Sequence, residues 1–195
     1  MSESNEVSGP DSLTPIDPKL LRIGSTIPFP IYGRGAGNSE YTLLVNRDRP
    51  FTRELREVIK GPFGNQAYTK PEWASAYIKY IKSYYFNDVR IPLEERARIL
   101  YGQAISAMED LFSRGGVTRE ALLGAMDVAA NLAEFLESDN KALHALIGIA
   151  SKDYETFCHS VHVCAYGLTF YQRLYPTNPP YPLPDVSAAF MFHNI

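Results

Sequence analysis

The spacing of apolar residues changes partway along the chain. Up to about Asn87 they come in short runs broken by Gly and Pro; from Pro92 onward they recur every three or four positions with few interruptions. "IPFPIYGR" and "EYTLLVNRD" read as two strands joined by "GRGAGNS". "FTRELREVIK" reads as a short helix, with Phe51, Leu55 and Ile59 spaced by four. "GPFGNQAYTK" supplies a turn and a third strand. Thr69-Lys70-Pro71-Glu72 then reads as a capping box, with Pro71 in the first turn of the helix "EWASAYIKYIKSYYF".

Beyond Pro92 the pattern predicts helix throughout. "PLEERARILYGQAISAMEDLFSRGG" places Leu93, Ala97, Leu100, Ile105, Met108 and Leu111–Phe112 on its apolar side and stops at Gly115-Gly116. "TREALLGAMDVAANLAEFLES" offers Leu122, Met126, Leu132 and Leu136 as core positions. "NKALHALIGIAS" is a shorter helix, and Ser151 is placed to cap the long "KDYETFCHSVHVCAYGLTFYQRLY". The segment "PTNPPYPLP" breaks the chain, and Asp185 is placed to cap a last helix that runs to Ile195. The expected fold is mainly α: a polar, disordered tail over 1–15, a small α/β module over 16–88, and a helical domain over 89–195.

Composition narrows the function classes. Hydrophobic residues make up 45% and charged residues 21% of the 195 positions, the balance of an ordinary globular chain. A net charge of −3 with no Lys/Arg block offers no footprint for DNA or RNA. No run approaches the ~18 apolar residues that a membrane span needs, and "MSESNEVSGPDSLTP" has no apolar stretch of the signal-peptide kind. Cys158 and Cys164, six apart in one predicted helix, form no metal or disulfide motif and read as reduced thiols of a cytoplasmic protein. Gly33, Gly35 and Gly37 follow GxGxG spacing with no helix behind them, so they read as a hairpin turn and not a phosphate loop.

Candidate chemistry concentrates in "DYETFCHSVHV". Glu155 and His159 are four apart, so a helix projects them from one face about a turn from each other. A carboxylate and an imidazole held that way make a start on a metal site. Such pairs are also common on solvated helix faces, and two ligands are not a site. His162 reads as a core-edge residue and His144 as structural. His193 follows the apolar "AAFMF", where an unpaired imidazole is costly to bury, so it calls for a partner such as Glu155 or His159.

"DYETFCHSVHVCAYGLTF", a loop, and then "SAAFMFHNI" together resemble the opening of an HD-GYP domain, a branch of the HD phosphohydrolases. Members carry a His-Ser helix followed by a loop and an "ALLHDIGK"-type helix. "PIDPKLLRIGSTIPFPIYGR" with "YTLLVNRDRPFTRELREVIK" resembles the small regulatory module found ahead of such domains in bacteria, so the likeness runs from about Ile16 to the end. The resemblance implies that His159 is the first metal-ligating His, Glu155 the acidic ligand one turn before it, and His193 the His of the HD dyad. It also implies two or three Fe or Mn ions, which activate a hydroxide for attack on a phosphodiester of cyclic di-GMP.

Two departures shape the expectation. Position 194 is Asn where the family has Asp, and a neutral amide oxygen is a poor bridge between cations, so Asn194 would be a degenerate fourth ligand. The chain also ends at Ile195, ahead of the Gly-Lys, the later histidines and the Gly-Tyr-Pro segment of the family. The expectation is therefore the N-terminal part of a bacterial cyclic di-GMP phosphodiesterase, with no catalytic acid identifiable and the 195-residue chain inactive alone. The alternative is a non-catalytic module that binds nucleotide or a partner. Homodimer formation is left open.

Overall fold

The computed structural model describes residues 13–35, 40–86, 88–113, 117–150 and 156–193. They divide into two compact units, one up to Tyr80 and one from Ile81. The fold is mainly α, with a small sheet confined to the first unit.

In the first unit, β1 (Thr14–Ile16), β6 (Ala67–Thr69), β3 (Ile31–Arg34) and β4 (Tyr41–Val45) form an antiparallel sheet in that order. Strands β2 (Thr26–Ile27) and β5 (Arg49–Pro50) pair separately, closed by Asp48 in the left-handed region at φ 59°. Period-2 alternation sets the sheet's faces: Thr14, Ile16, Ile31, Gly33, Ala67 and Thr69 are buried, while Pro15, Tyr32, Arg34 and Tyr68 are not. Thr14–Ile16 overlaps the stretch expected to be a tail. Pairing with β6 and burial of both Thr14 and Ile16 make it a strand, which three residues are too few to announce by periodicity. Residues 1–12, the rest of that stretch, and Gly37 lie outside the described residues.

Helix α1 (Arg53–Lys60) starts where Thr52 Oγ1 accepts from the Leu55 N–H at 3.2 Å. Phe51 and Ile59 are fully buried beside it. Thr69 does not open a capping box. Its hydroxyl donates to the Pro30 carbonyl at 2.8 Å, because Thr69 is already the last residue of β6 with its side chain in the core. A 3₁₀ turn over Pro71–Trp73 leads instead into α2 (Ala74–Ile81). Helix α2 turns Tyr77 and Tyr80 onto Phe29, edge to face at 5.6 and 5.8 Å between centroids. Each such pair contributes roughly 0.5–1.5 kcal/mol beyond area burial. The hydroxyls are used as well: Tyr77 accepts from the Asp17 N–H at 3.1 Å, and Tyr80 from the Arg22 N–H at 2.8 Å.

The second unit opens with a π-helical turn over Lys82–Phe86. It continues through α3 (Leu93–Ser113), α4 (Arg119–Ser138), α5 (Ala142–Ala150), α6 (Thr156–Leu174) and α7 (Leu183–Met191). Helix α4, capped by Thr118, is the hub and packs against α3, α5, α6 and α7. Ala121, Ala125, Ala129 and Ala133 let neighbours approach closely, and Val128, Leu132, Phe135 and Leu136 fill the space between. The buried face runs through Ala125, Val128 and Leu132, so Met126, one residue off it, points outward; Phe112 of α3 is likewise exposed. Asp185 sits inside the first turn of α7 and not at its cap, which is Pro182, since Leu183 and Pro184 already adopt helical positions. Ser151 lies outside the described residues. No described helix is long and apolar enough to cross a membrane.

Candidate functional site

Helices α6 and α7 bring two of the candidate ligands together. His159, near the start of α6, and His193, just past the end of α7, have ring centroids 5.4 Å apart and planes tilted by 58°. They are 34 positions apart in sequence, and the turn through the proline-rich loop is what returns the chain to the start of α6. The close approach has a local cause. A Cβ at Gly167 would sit 2.8 Å from three atoms of the Phe190 ring, so α7 lies on α6 at a spot only glycine leaves open.

The two imidazoles differ from the expectation in their surroundings. His193 is exposed despite the apolar run before it, because that run turns its buried positions, Ser187 and Met191, to the other side. Its partner is also local: Nδ1 lies 2.8 Å from the Phe190 carbonyl oxygen. A carbonyl only accepts, so Nδ1 carries a proton, which makes Nε2 the nitrogen that the neutral ring would present to a metal. His159 is exposed as well. Two imidazole nitrogens each about 2.1 Å from one cation leave the ring centroids roughly 5 Å apart, so the observed spacing fits a shared ion. Glu155 and Asn194 lie outside the described residues, and among the described residues no third His, Cys, Asp or Glu joins the pair.

His162 sits at the core edge, as its position suggested, and Tyr101 of α3 is its partner, with the hydroxyl 3.1 Å from Nε2. Burial, and then the nearby His159, hold its pKa below the usual imidazole value. Tyr101 is 61 residues away and carried no signal in the sequence. His144 is exposed on α5, not structural: the buried face of that helix runs through Ala142 and Leu146. Cys158 and Cys164 are free and buried. An open cleft of about 510 Å³ lies between Leu136–Asn140 and Tyr171–Leu183. Tyr171 is twelve residues along α6 from His159, about 18 Å at helical rise, so that cleft is separate from the histidine pair.

The class that this arrangement defines is an HD-type helical fold with two histidines facing each other at one end of an α6–α7 pair. Comparison with known proteins agrees at the level of fold. The solved structure of Bd1817, an HDG"Y"P protein from Bdellovibrio bacteriovorus, is similar with a TM-score of 0.52 and 20% identity, over 93% of this chain and 60% of that one. No family model matches the chain, and no curated protein matches it.

Proposed function

We propose that this chain is an HD-GYP-type module of bacterial second-messenger signalling, whose parent activity is metal-dependent hydrolysis of cyclic di-GMP. In this reading a regulatory module over 16–88 precedes the helical domain, and the protein is cytoplasmic. The observation that carries it is the His159–His193 pair, two exposed imidazoles close enough for one cation. Glu155, His159 and His193 would hold Fe or Mn, with Asn194 a weak fourth. Such ions, when bound, lower the pKa of a bridging water and neutralise charge building on a phosphoryl group. His193 holds its ring by the Phe190 carbonyl and offers Nε2 to the ion.

Four candidate ligands, only one of them a carboxylate, are too few for two or three ions, so the 195-residue chain is expected to turn over cyclic di-GMP at background rate. The test is metal analysis of the chain and of a version extended with the residues the family places after the dyad. Two or more Fe or Mn per extended chain, with phosphodiesterase activity lost in His159→Ala and His193→Ala, supports the reading. A folded, metal-free extended protein sinks it. Asn194 favours a second reading, a non-catalytic nucleotide- or partner-binding module, which predicts that Asn194→Asp restores neither metal nor turnover.

A further inference from the structure

The open face of the four-stranded sheet carries an ordered aromatic row. The registers Pro15↔Tyr68, Tyr68↔Tyr32 and Tyr32↔Leu43 place those four side chains in one line across all four strands. Arg34↔Tyr41 forms the next rung on the same face. The Tyr41 and Tyr68 rings meet edge to face at 5.0 Å, and the Arg34 guanidinium lies 5.6 Å from the Tyr41 centroid. None of these six side chains is buried, and Leu43 is 46% exposed, whereas the alternate positions on β1, β3 and β6 all are buried. Tyrosine is common on strands for packing reasons alone, but here three rings, a proline and a cation share one surface. Rigid rings with a neighbouring guanidinium are what a flat base with an attached phosphate needs: π-faces for stacking and a fork for the anion.

Charge supports the same ligand. The whole chain is at −3, but that figure hides an asymmetry: residues 1–80 carry ten Lys/Arg against nine Asp/Glu, while residues 81–195 carry nine against thirteen. The unit that bears the tyrosine row is therefore near neutral while the helical unit is acidic, so an anion meets less repulsion at the first unit than at the second.

We propose that the Tyr68–Tyr32 row and the Arg34–Tyr41 rung form a binding platform for a nucleobase-bearing anion, with the base stacked on the tyrosines and a phosphate at Arg34. The ligand is a free nucleotide; a single strand that presents the same chemistry is an outcome the experiment separates from it. This platform lies in the first unit and does not depend on the metal reading of α6 and α7.

The experiment titrates the full chain, in EDTA, with AMP, with UMP and with a hexa-adenylate strand, following ¹³C-labelled tyrosine ring resonances. Saturable shifts confined to Tyr32, Tyr41 and Tyr68 are expected, with AMP tighter than UMP because the purine offers more stacking area. Tyr32→Thr/Tyr68→Thr, β-branched and strand-compatible, should weaken AMP by at least about tenfold, the scale of one lost base–aromatic stack. Arg34→Gln should weaken it several-fold and flatten the salt dependence. A strand binding more than tenfold tighter than AMP assigns the single strand as ligand; equal affinity assigns the free nucleotide. The wild-type ring shifts decide the matter even if the double variant fails to fold. Absence of saturation at millimolar nucleotide overturns the proposal, as does a shift pattern that misses these three rings. Binding that persists in the tyrosine variant but is lost in His159→Ala/His193→Ala would move the nucleotide to the helical unit and equally overturn it.

Discussion

Gly167 of α6 and Phe190 of α7 pack so closely that a single added methyl at Gly167 would stand 2.8 Å from the ring. That contact sets how near the end of α7 comes to the start of α6, and with it the spacing of His159 and His193.

Two helical glycines should therefore respond differently to alanine. At Gly102 of α3 nothing lies within 4 Å of the new methyl, so Gly102→Ala should stabilise by up to about 1 kcal/mol through helix propensity. At Gly167 the same gain is opposed by overpacking, which costs about 1–3 kcal/mol, so Gly167→Ala should come out neutral to destabilised. Urea denaturation of both variants checks this; equal stabilisation would show that the Phe190 ring moves aside freely.

The alkaline limb of stability should report Cys164. Burial pushes its thiol up to about 12 from an ordinary 9.0, against a smaller opposing effect of the Ser187 hydrogen bond. In the unfolded chain the thiol ionises near the lower value while the folded thiol stays neutral. Its contribution is thus complete below about pH 9 and is lost as pH rises towards about 12. Cys164→Ala should flatten stability over that window. A thiol reagent at neutral pH should label the native protein only at the rate of unfolding, since Cys158 is buried too.

On the acid side the sign reverses. His162 is held below its usual pKa by burial and then by His159. The unfolded chain takes up a proton at higher pH than the native one, so the stability linked to His162 is present above about pH 6.5 and falls as pH drops through the native pKa. His162→Gln should lose stability less steeply between pH 7 and 5. A parallel decline in wild type and variant would mean that other groups govern that limb.

Tyr80 should matter through its hydroxyl. It accepts from the part-buried Arg22 N–H and lies 2.6 Å from the Oγ of buried Ser25. Tyr80→Phe keeps the edge contact with Phe29 but removes those partners, at a cost of about 1–3 kcal/mol. Thermal melts of Tyr80→Phe beside Tyr77→Phe, whose hydroxyl accepts from the Asp17 N–H and whose ring also packs on Phe29, compare the two hydroxyls with ring packing held constant.

Much of the architecture was legible because periodicity is a local property. The 3.6-residue repeat predicted every helix from α3 to α7, and alternation with glycine turns predicted β3, β4 and β6. What failed was equally local in appearance and tertiary in cause. Thr69 looked like a cap but is drawn into the core by Pro30, and Met126 looked apolar-facing but lies one residue off the face that α4 presents to its neighbours. His193 looked buried because its neighbours are apolar, yet it lies just past the end of α7, whose buried positions Ser187 and Met191 turn away from it, and is exposed. The sequence alone nominated the residues that would ligate a cation and determined that a helical fold would carry them. Only tertiary structure decided that His159 and His193, 34 positions apart, share one end of a helix pair, and that Tyr68, Tyr32 and Tyr41 share one sheet face. Both depend on long-range packing and strand register, which no local pattern of side chains encodes.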